Sequence, residues 1–314
     1  MLPIRRGILG VGRTHLPRSS LLTTPQFIRH NSSSSTSSTE TKDKKSKSVE
    51  SNFTVSPKKA PQADMSQIPL QLLGCLTDFY IPPKYSSAPV SSWPKLLMRR
   101  IMLFALNTYS IVAFKRELGV PLKFDLWKDR GIEQYVRANK AFAEACNEPK
   151  ARVKGEIVEK RLDHSCGIHV GEALFARSKS FPLGSSVKWE LVKLVKDPKI
   201  VLFNSIPDRN GVACFVQFVM KLNTVQKMTI FGKDGEVVQE KEQPVEDNLV
   251  FSLDPLSDEL LLVGKLFESN HIRGLKPEID ISNPKEAKRF MVVAADIYRA
   301  DPRESAVESA NKNN

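Results

Sequence analysis

At Ser185 the apolar residues of this chain change period, and that change limits its fold more than any other feature. Upstream, Ile132, Tyr135, Val136, Phe142 and Cys146 recur near the 3.6-residue repeat of a helix. Downstream, Val187, Trp189 and Leu191 alternate with Lys188 and Glu190, the two-residue period of a strand with one buried face. Helices gathered ahead of antiparallel strands predict an α+β domain rather than a parallel α/β sheet.

Local punctuation divides the chain further. Pro69, Pro82, Pro83 and Pro89 suit an extended strap over residues 67–90, laid on the domain surface. Ser92 is positioned to cap a helix that opens on Trp93-Pro94, because proline is tolerated in a first turn; Gly119 and Pro121 end it. Further helices are expected after Asp129, over about 148–162 and over 169–178. In the strand half, Asp197-Pro198 reads as a turn between two strands, the second over 199–206. A long strand over 212–231 meets the hairpin Gly232-Lys233-Asp234-Gly235, and a return strand runs to about Glu242. Segments 249–253 and 260–266 are further strands. The expected domain over 67–275 is then cone-like, of the nuclear-transport-factor type, with its N-terminal helices packed on one concave face of a curved antiparallel sheet. Asn283 and Pro284 open a last helix inside a separate C-terminal stretch, 276–314, whose end is polar.

The first acid of the chain is Glu40, and before it stand Arg5, Arg6, Arg13, Arg18 and Arg29 among hydroxyl and scattered apolar residues. That is the composition of a mitochondrial presequence, expected over residues 1–30. Arg13 and Arg18 break any apolar run long enough for a secretory signal. Cleavage is expected near Arg29, His30 and Asn31. Residues 31–66 are rich in Ser, Thr, Lys and Pro and are read as a polar tether without a core of its own.

The formal net charge is +12, of which the five arginines ahead of Glu40 account for part. The balance favours polyanionic partners, RNA phosphates or anionic lipid head groups. Cys75, Cys146, Cys166 and Cys214 are widely spaced and form no C-x-x-C pair, so they suggest idle thiols in a reducing compartment.

Charge is arranged most informatively around the first helix. Residues 101–114 carry no formal charge; Arg99 and Arg100 precede them, Lys115 and Arg116 follow, and 84–116 contains no acid. Fourteen helical residues reach about 21 Å, short of the roughly 30 Å hydrocarbon core, so the uncharged stretch is not expected to span a bilayer. Two readings remain, a core helix covered on most sides and an interfacial helix whose basic ends meet anionic head groups; they can coexist where a domain helix leaves one edge for lipid. Lys84, Lys95, Arg99, Arg100, Lys115 and Arg116 are the candidate membrane or ribosome contacts.

Chemistry-bearing motifs are sparse. Asp163, His164, Cys166 and His169 fall in one short run, without the second ligand pair a zinc site draws from another element. Asp163, Tyr135 and His169 are the residues from which a cavity acid–base site would have to be assembled. No phosphate loop or nucleophile motif accompanies them. Catalysis, a metal and a cofactor are not expected.

The Arg/Ser-rich start, the polar tether, Ile81-Pro82-Pro83-Lys84, the helix opening Trp93-Pro94-Lys95 and the strand-rich half ending at 260–267 together resemble the fungal family of mitochondrial inner-membrane ribosome receptors. That family is similar to a mitochondrial large-subunit ribosomal protein and to the lipid-binding domain of the import-motor membrane anchor. The resemblance implies a peripheral protein on the matrix side of the inner membrane. Its implied partners are the mitochondrial large ribosomal subunit, inner-membrane lipids, an Oxa/YidC-type insertase and nascent membrane proteins. It would align the ribosome exit with the insertion machinery. The competing roles are a structural protein of the large subunit, an import-motor anchor and a small cone-fold enzyme.

Overall fold

Two asparagines on two different helices seal the first strand of a four-stranded sheet. The computed structural model describes residues 67–208, 210–280 and 283–302. In it β1 (Ser186–Pro207), β2 (Ala213–Phe231), β3 (Val237–Asp254) and β4 (Glu259–Leu266) form an antiparallel meander in sequence order. The sheet is open, with β1 and β4 as its edges. Among the described residues five α-helices accompany it: α1 (Trp93–Leu118), α2 (Phe124–Asn147), α3 (Ala151–Leu162), α4 (Ile168–Lys179) and α5 (Pro284–Ala295).

The edge β1 is closed from both sides. Asn147, at the end of α2, accepts from Val187 N (2.6 Å) and donates to Val187 O (3.1 Å). Asn107, midway along α1, accepts from Phe203 N (3.2 Å) and donates to Val201 O (3.0 Å). A carboxamide offers the same donor and acceptor as a peptide, so each asparagine stands in for a residue of a missing strand.

Both faces of the sheet are covered along its inner part, while residues 192–197 of β1 and 237–244 of β3 are exposed. In the middle of β2, Phe218, Met220 and Leu222 pack with α2, while Phe215 and Val219 pack with the strap residues Leu70, Leu73, Phe79 and Ile81. This explains the apolar runs at 215–220, 249–253 and 260–263, which a sheet with one wet face would not show. Gln217, buried on the strap side, donates to Gly74 O and to Ser252 Oγ (both 2.8 Å) and accepts from Leu76 N (3.1 Å). The strap is therefore fixed by hydrogen bonds as well as by apolar contact.

Two strand boundaries are corrected. Asp197-Pro198 does not divide two strands: β1 runs through it, with register shifts between Leu194 and Lys196 and between Lys196 and Lys199. A proline at a bulge of an edge strand removes no ladder hydrogen bond. The return strand likewise passes Pro244 without a break, pairing it with Val225. β4 pairs β3 only over Asn248–Asp254, so Pro244 has no neighbour on its other side.

The helix starts also differ in part. Gly119 ends α1 with φ 64° and donates to Lys115 O, as its type suggests. Ser92 does not cap with its side chain, because residues 90–92 form a 3-10 turn that feeds α1 directly and leaves Ser92 in a helical conformation. α2 begins at Phe124, ahead of the expected Asp129. The charges around it look like loop, but Trp127 is buried among rings: it lies 5.4 Å from Phe124, 6.4 Å from Phe203 and 6.2 Å from Phe218, centroid to centroid.

The C-terminal helix, placed outside the domain by the sequence, packs into the two cores. Ala294 joins the strap-side core, and Ala295 and Ile297 join the other. Arg177 of α4 grips Asp296 with both arms (2.7 and 2.6 Å), and Phe142 meets Tyr298 at 4.6 Å. The expected cleavage region at Arg29, His30 and Asn31, the tether 31–66 and the residues after 302 lie outside the described residues.

Candidate contact face on the first helix

The core reading of α1 is overturned by its surroundings. Leu96, Leu103 and Phe114 are its buried residues, and with Asn107 they lie on one stripe at spacings of seven, four and seven. At 100° per residue the opposite half carries Leu97, Met98, Ile101, Met102, Tyr109 and Val112, with Phe104 at its border, all exposed. Phe104 is 73% and Tyr109 70% exposed, the opposite of what a core helix shows. Singly exposed apolar side chains are ordinary, whereas a contiguous half-helix of them marks an interaction surface.

By length and composition Val90–Leu118 could cross a membrane, and most of its apolar stretch is exposed. In this fold it lies along the domain instead. Asn107 holds its middle to β1, and Leu103 and Phe114 sit in the two cores. Spanning would break each of those contacts, so the geometry offers one side of the helix only.

The six candidate cations divide into two groups. Lys84 is an ion-pair partner of Glu246 (3.1 Å), which also holds Lys221 (2.6 Å). Arg99 donates to His271 O (2.5 Å) and Ile272 O (3.1 Å), clasping the loop after β4. Arg100 donates to Pro83 O (2.7 Å) and lies 4.5 Å over the Tyr85 ring. These three build the fold. Lys95, Lys115 and Arg116 are exposed and make no ion pair among the described residues. Lys95 and Arg116 stand twenty-one residues apart, about 30 Å along the axis, so free cations bracket the apolar half at both ends.

Residues that the sequence left unassigned also matter here. Asn107, a polar residue inside the uncharged run 101–114, holds the middle of the helix to β1. Beneath its exposed half lies a trough of about 460 Å³ between α1, α2 and β1, walled by Phe104, Ile111, Phe124 and Ile200, with Lys128 and Lys199 among its lining residues.

The candidate chemical residues are not brought together. Tyr135 donates to Asp247 Oδ2 (2.6 Å) in a buried network with Gln226 and Lys265, and burial first, then Asp247, raises its pKa. Asp163 is exposed, and His169 pairs with Glu172 (3.1 Å) on α4. His164 lies between Asp163 and Glu259 at 3.5 and 3.4 Å. Among the described residues no group of three or more His, Cys, Asp or Glu is placed to hold a metal ion. Burial pushes the thiols of Cys75 and Cys166 up to about 12 and that of Cys146 to about 11, which keeps them protonated and unreactive.

Known proteins share this chain's pattern. The chain is 29% identical over 258 residues to the inner membrane mitoribosome receptor MBA1 of Saccharomyces cerevisiae, covering 81% of this chain and 87% of the yeast protein. The model of the MBA1-like protein family matches residues 59–303, a span that takes in the strap, all five helices and all four strands. The chain belongs to the MBA1-like protein family.

Proposed function

We propose that this protein is a mitoribosome receptor on the matrix side of the mitochondrial inner membrane, held there peripherally. Its likeness to the yeast receptor along most of both chains supports the ribosome-binding role. The single structural observation behind the attachment is the exposed apolar half of α1 with free cations at both ends. An interfacial helix of that kind buries its apolar side about 5–10 Å into the head-group boundary while Lys and Arg meet anionic lipid. The basic balance left without the five presequence arginines, 12 − 5 = +7, suits large-subunit rRNA phosphates as the second contact. On this reading the protein acts by position: it brings the ribosome exit to an Oxa/YidC-type insertase, so that nascent membrane proteins enter the bilayer during synthesis. No catalytic step is involved.

Fractionation of mitochondria tests it. The protein should stay with membranes stripped of ribosomes, leave them in alkaline carbonate, and co-sediment with large subunits in a salt-dependent way. Replacing Ile101 and Phe104 by Ser should release it from membranes while ribosome binding persists. Tight co-migration with the large subunit at high salt, without independent membrane attachment, would instead identify a structural ribosomal protein. Recovery free in the matrix would refute both.

A further inference from the structure

We infer that the trough under α1 is a binding site for a single acyl chain of an anionic phospholipid, drawn from the membrane on which α1 lies; this rests on the membrane reading of α1. Four observations converge on that ligand. The trough, about 460 Å³, falls within the range of pockets that hold small ligands. Its walls are apolar side chains and rings, Ile111, Phe124, Ile200 and Phe203, suited to hydrocarbon. It is continuous with the exposed half of the helix, because Phe104 and Thr108 belong to both. A chain already lying against that half could enter sideways without crossing water.

Charge specifies the head group. Lys199 lines the trough and makes no ion pair among the described residues. Lys128 lines it too, paired at 2.6 Å with Asp125, whose side chain is 93% exposed. Such a solvated pair is weak and yields readily to a phosphate. The trough's floor supplies little to satisfy a polar ligand, since the Asn107 carboxamide is already committed to Val201 and Phe203. An apolar tail with an anionic head at the rim is the ligand that leaves no group unpaired.

The test uses the purified full-length protein and oleoyl lysophosphatidylglycerol below its aggregation concentration, with lysophosphatidylcholine as the zwitterionic control. Titration calorimetry and native mass spectrometry should show one lysolipid per chain, with the anionic form preferred. Thr108→Trp at the exposed mouth and Ile111→Trp in the wall should each weaken binding at least about tenfold. Lys199→Glu should cut the anionic preference by about fivefold or more. Met98→Ser/Met102→Ser, on the exposed half but off the trough, should reduce flotation with anionic vesicles and leave lysolipid binding intact. Binding that ignores Thr108→Trp, or that disappears in the Met98/Met102 variant, overturns the acyl site. Lysolipid binding without any wild-type flotation would leave the site standing and sink the membrane reading.

Discussion

The carboxamide of Asn107 accepts a hydrogen bond from the backbone N–H of Phe203 at 3.2 Å, and the same side chain returns one to Val201 O. One residue thus joins the helix that faces outward to the strand that would otherwise be an open edge. Its removal should be felt by both. Asn107→Ala leaves a donor and an acceptor of β1 without partners in a half-buried place, a loss of about 1–3 kcal/mol. Urea unfolding should show a lower midpoint at unchanged slope, and limited proteolysis should cut sooner in α1. Asn107→Asp sets a carboxylate oxygen against Val201 O in place of the donor, so it should destabilise at least as much as Ala. An unchanged midpoint for Asn107→Ala would mean that Leu103 and Phe114 alone hold the helix.

The two groups of cations should separate in experiment. Lys95, Lys115 and Arg116 reach solvent, and each basic residue near an anionic surface contributes about 1 kcal/mol. The triple glutamine variant should partition onto anionic vesicles on the order of a hundredfold more weakly. Its thermal midpoint should hardly move, since exposed substitutions of this kind stay within about 0.5 kcal/mol. Arg99→Gln and Arg100→Gln should do the reverse, because their guanidinium groups bind backbone oxygens of His271, Ile272 and Pro83. Equal effects of both sets on vesicle binding would deny the division.

These two groups also show what the sequence could and could not reveal. The ends of α1 were readable because Pro94 and Gly119 act on their own backbone, whatever surrounds them. The roles of Arg99 and Arg100 were not, since a carbonyl oxygen carries no residue signature. The outward face of α1 was equally hidden: Leu97, Ile101 and Phe104 would serve a core as well as a lipid surface, and only the neighbours decide. Asp197-Pro198 failed for a related reason. A proline breaks an inner strand but not an edge strand, and which strand is the edge is settled by the whole sheet. Trp127 was a missed signal of another kind, since a tryptophan within a charged stretch is costly to leave wet and should have drawn α2 back to Phe124.

Alkaline stability follows from the buried thiols. Burial lifts Cys75 and Cys166 from an ordinary 9.0 to about 12 in the folded protein. A group whose pKa is raised by folding contributes stability that is complete below its unfolded pKa and is lost as pH rises through the folded one. Unfolding free energy should therefore fall between about pH 9 and 12, by up to about 1.4 kcal/mol per pH unit for each such thiol. Tyr135 and Tyr298 shift in the same direction and remain in any cysteine variant. The comparison is thus between wild type and Cys166→Ala in urea at pH 8.5 and 10.5. The variant should lose less stability over that interval; parallel losses would show that the Cys166 thiolate is tolerated in place.

The docking of α5 turns on Gly264. A Cβ built there would come within 2.5 Å of Ala294 O and 2.9 Å of its carbonyl carbon, both backbone atoms that no rotamer change can move. The strand and helix approach this closely only because neither Gly264 nor Ala294 carries bulk. Gly264→Ala should force α5 off β4, at about 1–3 kcal/mol for the overpacked contact. The displaced helix would take Ile297 and Tyr298 out of their packing with Phe142 and loosen the Arg177–Asp296 pair. Hydrogen exchange should then quicken at 284–298 and along 260–266, while the distant pairing of β1 with β2 keeps its protection. Faster exchange throughout the sheet would mean that the helix supports the entire core, and no change at all would place α5 outside the cooperative unit.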